Sequence, residues 1–346
     1  MPNYIIQGKD EVSQNIQYEV DLSSAPLGAG GMGQVFKGIQ VNLKTGQRKD
    51  VAIKFLYQDL SQSAINRSRR EASIQIQNEN LIEMMGFVEM NESDKLGNTI
   101  TRNFIVSELL HGVMLHDLLQ GKITDAMGNV VPFAEELYDM LCKDRVAFAK
   151  FVAIKVLSGV MALHDRGYIH RDIDPSNIMV TNDGKVKLID FGIAKELEDV
   201  CNNSQKLTKS GSFIGKPSYA APELITGDVA SHNFTTDLYQ VGILLYELIV
   251  GERPFCGPEH EVMSMQLNDA VPSQNIHNIG LANIVKKATN KKQSERYQSA
   301  AQFRADLEGC NLKVNEEQTQ KAGGNLFWVI IITMSAFLGI LLGVFL

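Results

Sequence analysis

Residues 27–38 read Leu27-Gly28-Ala29-Gly30-Gly31-Met32-Gly33-Gln34-Val35-Phe36-Lys37-Gly38, and the element into which this run leads decides the fold. Gly28, Gly30 and Gly33 fall into a GxGxxG spacing. Glycines let backbone amides approach phosphate oxygens closely. In a dinucleotide-binding fold the same spacing leads straight into a helix. Here the stretch Gln34–Val41 is followed by a polar Lys-Thr-Gly turn and then by the apolar run Val51–Leu56. That order is a hairpin signature, so the glycines belong to a strand turn and Val35 points toward a bound base. Lys54, on the second strand, brings an ammonium beside the glycines, where lysine binds phosphate as a point charge. Such a lysine needs an anion to hold it. Glu71, on a helix expected over Ser61–Asn78 with Ser61 as its cap, is the natural partner. A lone lysine or glutamate is commonly only a surface charge; their joint spacing with the glycines carries the reading.

Outward from this centre, strands dominate from Tyr18 to about Val113, including Gly86–Met90 and Thr101–Leu110. Residues 1–17 are expected as a short strand or a loose arm. Beyond Leu115 the pattern turns helical. Strong helices are expected over Arg145–Asp165 and Thr236–Val250, and weaker ones over Leu281–Thr289 and Ser299–Leu307. Residues 196–218 are irregular and rich in Ser, Thr, Asn and Lys, and residues 121–144 have a mixed character that points to no single element. The 346 residues suit two lobes sharing a cleft. A formal net charge of −7 argues against a nucleic-acid partner. Cys142, Cys201, Cys256 and Cys310 form no CxxC pair, which leaves zinc ribbons and redox motifs unsupported and fits a reducing compartment. The amino terminus lacks a basic patch followed by an apolar run, so no signal peptide is expected. Residues 309–325 read as a flexible linker. Residues 326–346 carry no charge, and as a helix would span roughly 31 Å, close to a bilayer core of about 30 Å. A membrane helix is expected there.

Three further motifs complete the pattern: His170-Arg171-Asp172-Ile173-Asp174-Pro175-Ser176-Asn177, Asp190-Phe191-Gly192 and Ala221-Pro222-Glu223. In this order, with the glycine turn and Lys54, they resemble the protein-kinase signature set over about Tyr18–Glu308. Residues 28–35 and 237–255 look most like bacterial receptor-type Ser/Thr kinases. The resemblance implies an α+β, two-lobed kinase fold. Its small lobe would be an antiparallel sheet over about 18–110, and its large lobe helical over about 111–308. It implies ATP and Mg2+, with Mn2+ as an alternative. Leu27, Gly28, Ala29, Gly30, Gly31, Met32 and Gly33 would cover the phosphates. Val35, Ala52 and Met179 would sandwich the adenine, and Glu108 and Leu110 would lie on the hinge that meets it. Lys54, held by Glu71, would grip the phosphates. Asp172 would orient the substrate hydroxyl and take its proton, and Asn177 and Asp190 would hold the metal. Glu223 would pair with Arg296, Asp237 would brace the catalytic loop, and His170 would pack rather than act as a base.

The chain departs from the family pattern at two positions that meet at the γ-phosphate. Asp174 stands where a lysine is usual, and Lys216 where a threonine is usual. The two read as an exchange of charge. Arg171 could clamp a phosphate on the segment before Lys216; Thr208 and Ser210 are the best acceptors, with Ser212 behind them. Two rival readings are a pseudokinase scaffold, favoured by Asp174 and opposed by Lys54, Asp172, Asn177 and Asp190, and a small-molecule kinase, opposed by Ala221-Pro222-Glu223. The expected setting is a single-pass, C-terminal membrane anchor in contact with lipid, with the kinase domain cytoplasmic. Ser335, Gly339 and Gly343 recur on one helix face, so homodimerisation through that helix is expected, with no outer sensor domain beyond Leu346. Partners are protein substrates whose identity the residues do not reveal.

Overall fold

The computed structural model describes residues 3–93, 97–190, 216–310 and the backbone of 195–196. The candidate phosphosites Thr208, Ser210 and Ser212, the linker beyond Cys310 and the apolar segment 326–346 lie outside the described residues.

The small lobe is a seven-stranded antiparallel sheet. Its strands are β1 (Tyr4–Ile6), β2 (Ile16–Val20), β3 (Gly28–Gly30), β4 (Gly33–Asn42), β5 (Arg48–Leu56), β6 (Met84–Ser93) and β7 (Thr99–Glu108). The order is β1-β2-β4-β5-β7-β6, with β3 folded back on β4. Side chains alternate across a strand, so register decides which face each residue serves. Val35 lies opposite Lys54, and Lys37 and Ser107 lie opposite Ala52, which puts Val35, Ala52, Lys54 and Ser107 on one face. The other face holds Ile6, Val20, Ile53, Phe104 and Val106 in a separate core. There Phe55 meets Phe36 and Phe104 with ring centroids 5.1 and 4.9 Å apart. The amino-terminal residues are built into this lobe: β1 pairs with β2, Ile6 is fully buried, and α1 (Lys9–Gln14) joins the two strands.

Helix α2 (Gln62–Ser73) starts as expected, with Ser61 Oγ accepting from the Ala64 amide at 3.3 Å. It stops five residues short of the expected end. Ile74 and Ile76 are buried while Ser73, Gln75 and Gln77 are exposed, an alternation that only extended chain can satisfy.

The large lobe begins with β8 (Gly112–Met114) and α3 (Leu115–Leu119), followed by α4 (Pro132–Lys143) and α5 (Arg145–His164). Short strands β9 (Tyr168–Ile169), β10 (Ile178–Thr181), β11 (Val186–Leu188) and β12 (Lys195–Glu196) flank the catalytic loop. Helices α6 (Pro222–Ile225), α7 (Phe234–Val250), α8 (Glu259–Asn268), α9 (Ile279–Ala288) and α10 (Ala300–Gly309) complete it. The stretch 121–144 resolves into a turn around Gly128 and then α4, which Pro132 opens at its first position. Among the described residues one helix, α5, is long and apolar enough to cross a membrane, and its buried residues make it a core helix of this lobe. Helix α7 is buried nearly all round, as a helix without a polar face must be.

One ion pair ties the far end of this lobe together. Arg296 and Glu223 are both buried and join through two parallel bonds of 2.8 and 2.9 Å, with Thr236 Oγ1 donating to the same carboxylate at 2.8 Å. Burial alone would raise the Glu223 carboxyl; the bonds from Arg296 outweigh it and hold the group below its ordinary value. A lowered folded-state value means the stabilisation is complete above the ordinary glutamate range and is lost as pH falls through the lowered value. Arg296→Met should therefore destabilise the large lobe by about 3–5 kcal/mol near neutral pH, the usual result of stranding one buried charge, and should flatten the acid limb of the stability profile. Denaturant unfolding across pH checks this; an unchanged neutral midpoint would contradict it.

Candidate active site

The glycine turn forms a flap over the cleft. Gly28 pairs with Val35, Ala29 with Gln34 and Gly30 with Gly33, while the Leu27 amide donates to the Val35 carbonyl at 2.7 Å. Gly28, Ala29, Gly30 and Gly31 are exposed, and nothing stands within 4 Å of where a Cβ would sit on Gly28, Gly30 or Gly31. Gly33 is different: a Cβ there would lie 2.1 Å from the Phe55 carbonyl oxygen, so close strand approach requires glycine. Met32 anchors the tip, its carbonyl accepting from the Tyr57 amide at 3.1 Å.

Beneath the flap, Lys54 Nζ lies 3.7 Å from Asp190 Oδ2. The expected Lys54–Glu71 pair is not formed. Glu71 is 4% exposed on α2, whereas the Asp190 side chain is about half exposed. Carrying an ammonium into the buried site would add a desolvation penalty that the more open carboxylate does not impose. At the hinge, the Glu108 amide donates to the Glu83 carbonyl at 2.9 Å, and its carboxylate accepts from the Glu83 amide at 2.8 Å and pairs with the buried Lys187. The carboxylate of Glu108 is thus occupied within the protein. Leu110 is half-buried just beyond, and Met179 on β10 lies between Met114 and Lys187.

The catalytic loop forms the opposite wall. Asn177 Nδ2 donates to the Asp172 carbonyl at 2.8 Å and to its carboxylate at 2.9 Å. Burial raises the Asp172 carboxyl above its ordinary value. The neighbouring Asp174 charge adds to this, while His170, the Asn177 bond and Lys216 pull against it. Asp237 on α7 accepts from the His170 and Arg171 amides at 2.9 and 2.8 Å and from His164 Nε2 at 2.8 Å. The Arg171 guanidinium is buried, and its Nε and one terminal nitrogen make no hydrogen bond among the described residues; burial pushes it down to about 10. Lys216 Nζ donates to both oxygens of Asp174, at 2.8 and 2.9 Å.

These groups belong to an antiparallel sheet and a helical lobe that meet at Lys54 and Asp190, and the protein kinase domain family matches residues 23–312. The chain belongs to the protein kinase family. The serine/threonine-protein kinase PknB of Mycolicibacterium smegmatis is 33% identical over 307 residues, covering 86% of this chain and 43% of that protein. PknB of Mycobacterium tuberculosis is 32% identical, covering 81% of this chain and 41% of its own length. The serine/threonine-protein kinase pkn2 of Myxococcus xanthus is 30% identical, covering 80% and 30%. The chain thus spans less than half the length of these curated relatives.

Lys54 thus meets Asp190, Asp172 meets Asn177 and Asp174 meets Lys216, while the Ile189 amide, donating to the Asn177 carbonyl at 2.8 Å, ties the chain before Asp190 to the catalytic loop. Lys187 is invisible to sequence reasoning: it sits in an ordinary alternating strand, and only β11 packing under Glu108 shows its partner. His164 is equally hidden, since a histidine ending an apolar helix carries no sign of the aspartate it faces.

Proposed function

We propose that the chain is an ATP-dependent Ser/Thr protein kinase that transfers the γ-phosphate to protein hydroxyls. The observation that carries this reading is the Asp172–Asn177 hydrogen bond of 2.9 Å, joined through the Ile189 amide on the Asn177 carbonyl to Asp190, which lies 3.7 Å from Lys54. One wall thus holds a carboxylate for a hydroxyl proton. The same lobe brings Asp190 for metal, and the sheet wall holds the Lys54 ammonium for phosphate.

The donor set suits a hard divalent cation. Asp190 offers carboxylate oxygens, and Asn177, whose Nδ2 is spent on Asp172, keeps its amide oxygen as an acceptor. Mg2+, or Mn2+ in its place, would be held there together with nucleotide phosphate and would neutralise charge during transfer. Lys54 binds the phosphates, and Glu71 takes over the ammonium when Asp190 turns to metal. Leu27 to Gly33 close over the phosphates through backbone amides. Val35, Ala52 and Met179 enclose the base against backbone groups of Glu108 and Leu110. Asp172 accepts the hydroxyl proton of the protein substrate. The relatives named serine/threonine-protein kinases support the acceptor class. The buried Arg171 guanidinium supports control by phosphate on the segment carrying Thr208, Ser210 and Ser212.

Residues 326–346 are proposed as a single-pass C-terminal anchor, with the kinase domain cytoplasmic and homodimerisation along Ser335, Gly339 and Gly343. Their uncharged length supports this.

The full-length chain with Mg2+ and radiolabelled ATP should label β-casein and its own residues Thr208 or Ser210. Asp190→Ala should lower the rate by orders of magnitude. Near-normal turnover in that variant would end the reading, and a chain that binds ATP without transfer would support the scaffold alternative. The full-length chain should also sediment with membranes and be released by detergent; recovery as a soluble protein would contradict the anchor.

A further inference from the structure

The catalytic loop carries two carboxylates in alternate positions, Asp172 and Asp174. A phosphoryl group attacked by a hydroxyl held at Asp172 must come close to both. Its own negative charge makes that approach unfavourable unless a cation lies on the same side. The structure supplies one from far along the chain. Lys216 Nζ donates to Asp174 Oδ1 and Oδ2 at 2.8 and 2.9 Å and also meets Ser176 Oγ. We propose that Lys216 is the phosphate-facing cation of this site, and that Asp174 is the buried post that positions it. The inference rests on the kinase reading above.

Three observations carry it. Asp174 is a fixed acceptor: its side chain is 2% exposed, and Oδ1 also accepts from the Ser176 amide and hydroxyl, both at 2.7 Å. It thereby caps the single turn Pro175–Asn177 that delivers Asn177 to Asp172, which ties the position of Lys216 to the reacting groups. The root of Lys216 is held as well, because its carbonyl accepts from the Tyr219 amide at 3.1 Å. Finally, the lysine side chain is 49% exposed, so the ammonium that grips a buried carboxylate stays open to solvent. Two of its three N–H groups are committed to Asp174. The third is on the neutral Ser176 hydroxyl, and a phosphate oxygen is the stronger acceptor for a charged donor. Without Lys216 this loop presents two negative charges to the phosphate; with it, one.

The alternative is a latch that merely fastens the stretch before Ala221-Pro222-Glu223 to the catalytic loop. A latch would affect every nucleotide alike, whereas a phosphate-facing cation distinguishes ATP from ADP. The test uses the full-length chain with Mg2+, measuring affinity for ADP and for the non-hydrolysable analogue AMP-PNP by calorimetry, and turnover on β-casein in the same preparations. Lys216→Thr should weaken AMP-PNP about tenfold, the value of a charge-assisted bond, and leave ADP unchanged. It should lower kcat on the order of 100-fold. Lys216→Arg should keep most of both. An unchanged preference for AMP-PNP over ADP in Lys216→Thr overturns the proposal whether or not the wild type transfers phosphate. A wild-type chain that shows the preference but transfers nothing removes the kinase reading and leaves the charge assignment standing.

Discussion

One buried carboxylate holds the catalytic loop. Asp237 is fully enclosed in α7 and accepts from two successive amides, His170 and Arg171, and from the His164 ring. Burial would raise such a carboxyl, but the His164 bond and the amide bonds outweigh it and hold the group below its ordinary range. The arrangement fixes a backbone that would not adopt its shape alone. Arg171 has φ +70°, a left-handed conformation that costs a residue with a Cβ roughly 1–2 kcal/mol. Gln240, one turn further along α7, accepts from the Ile173 amide and donates to the Arg171 carbonyl at 3.0 Å. The loop is therefore gripped on both sides of Asp172 by a helix that is itself buried nearly all round.

From that anchor the rest of the site is built in order. Asp172 leaves the gripped backbone toward the cleft, Asp174 caps the next turn, and that turn brings Asn177 back to Asp172. The sheet provides the facing wall by alternation: Phe36, Phe55 and Phe104 gather on one face, which leaves Val35, Ala52 and Lys54 for the other. The two walls meet at Lys54 and Asp190. Charge is distributed unevenly between them. Pairs deep in the large lobe, such as Glu223 with Arg296, are closed off from water, whereas the side chains of Lys54, Asp190 and Lys216 remain 20%, 47% and 49% exposed.

Much of this was legible in the residues because it depends on local rules. Glycine spacing followed by a strand placed the flap, and Gly33 shows why: no other residue fits against the Phe55 carbonyl. Ser61 marked the start of α2 through its own hydrogen bond. The opposite charges of Asp174 and Lys216 announced a contact that the structure contains. What was not legible depends on tertiary competition. Helical pattern alone carries α2 through Asn78, but two isoleucines gain more by alternating into the core. Pairing by motif joins Lys54 to Glu71, but the ammonium rests against the more solvated of two carboxylates. Helix α4 was hidden behind a glycine-containing turn, and the Glu108–Lys187 pair joins residues 79 positions apart with no pattern linking them.

If Asp237 sets the catalytic geometry from within the large lobe, Asp237→Asn must disturb it. The amide side chain keeps the shape but replaces one accepting oxygen with a donor, so either the Arg171 amide loses its acceptor or the His170 amide and His164 lose the one they share. In the full-length chain, with large-lobe unfolding and ADP affinity measured beside turnover, kcat should fall on the order of 100-fold or more while ADP affinity changes far less. An unchanged kcat in a folded Asp237→Asn protein would contradict it.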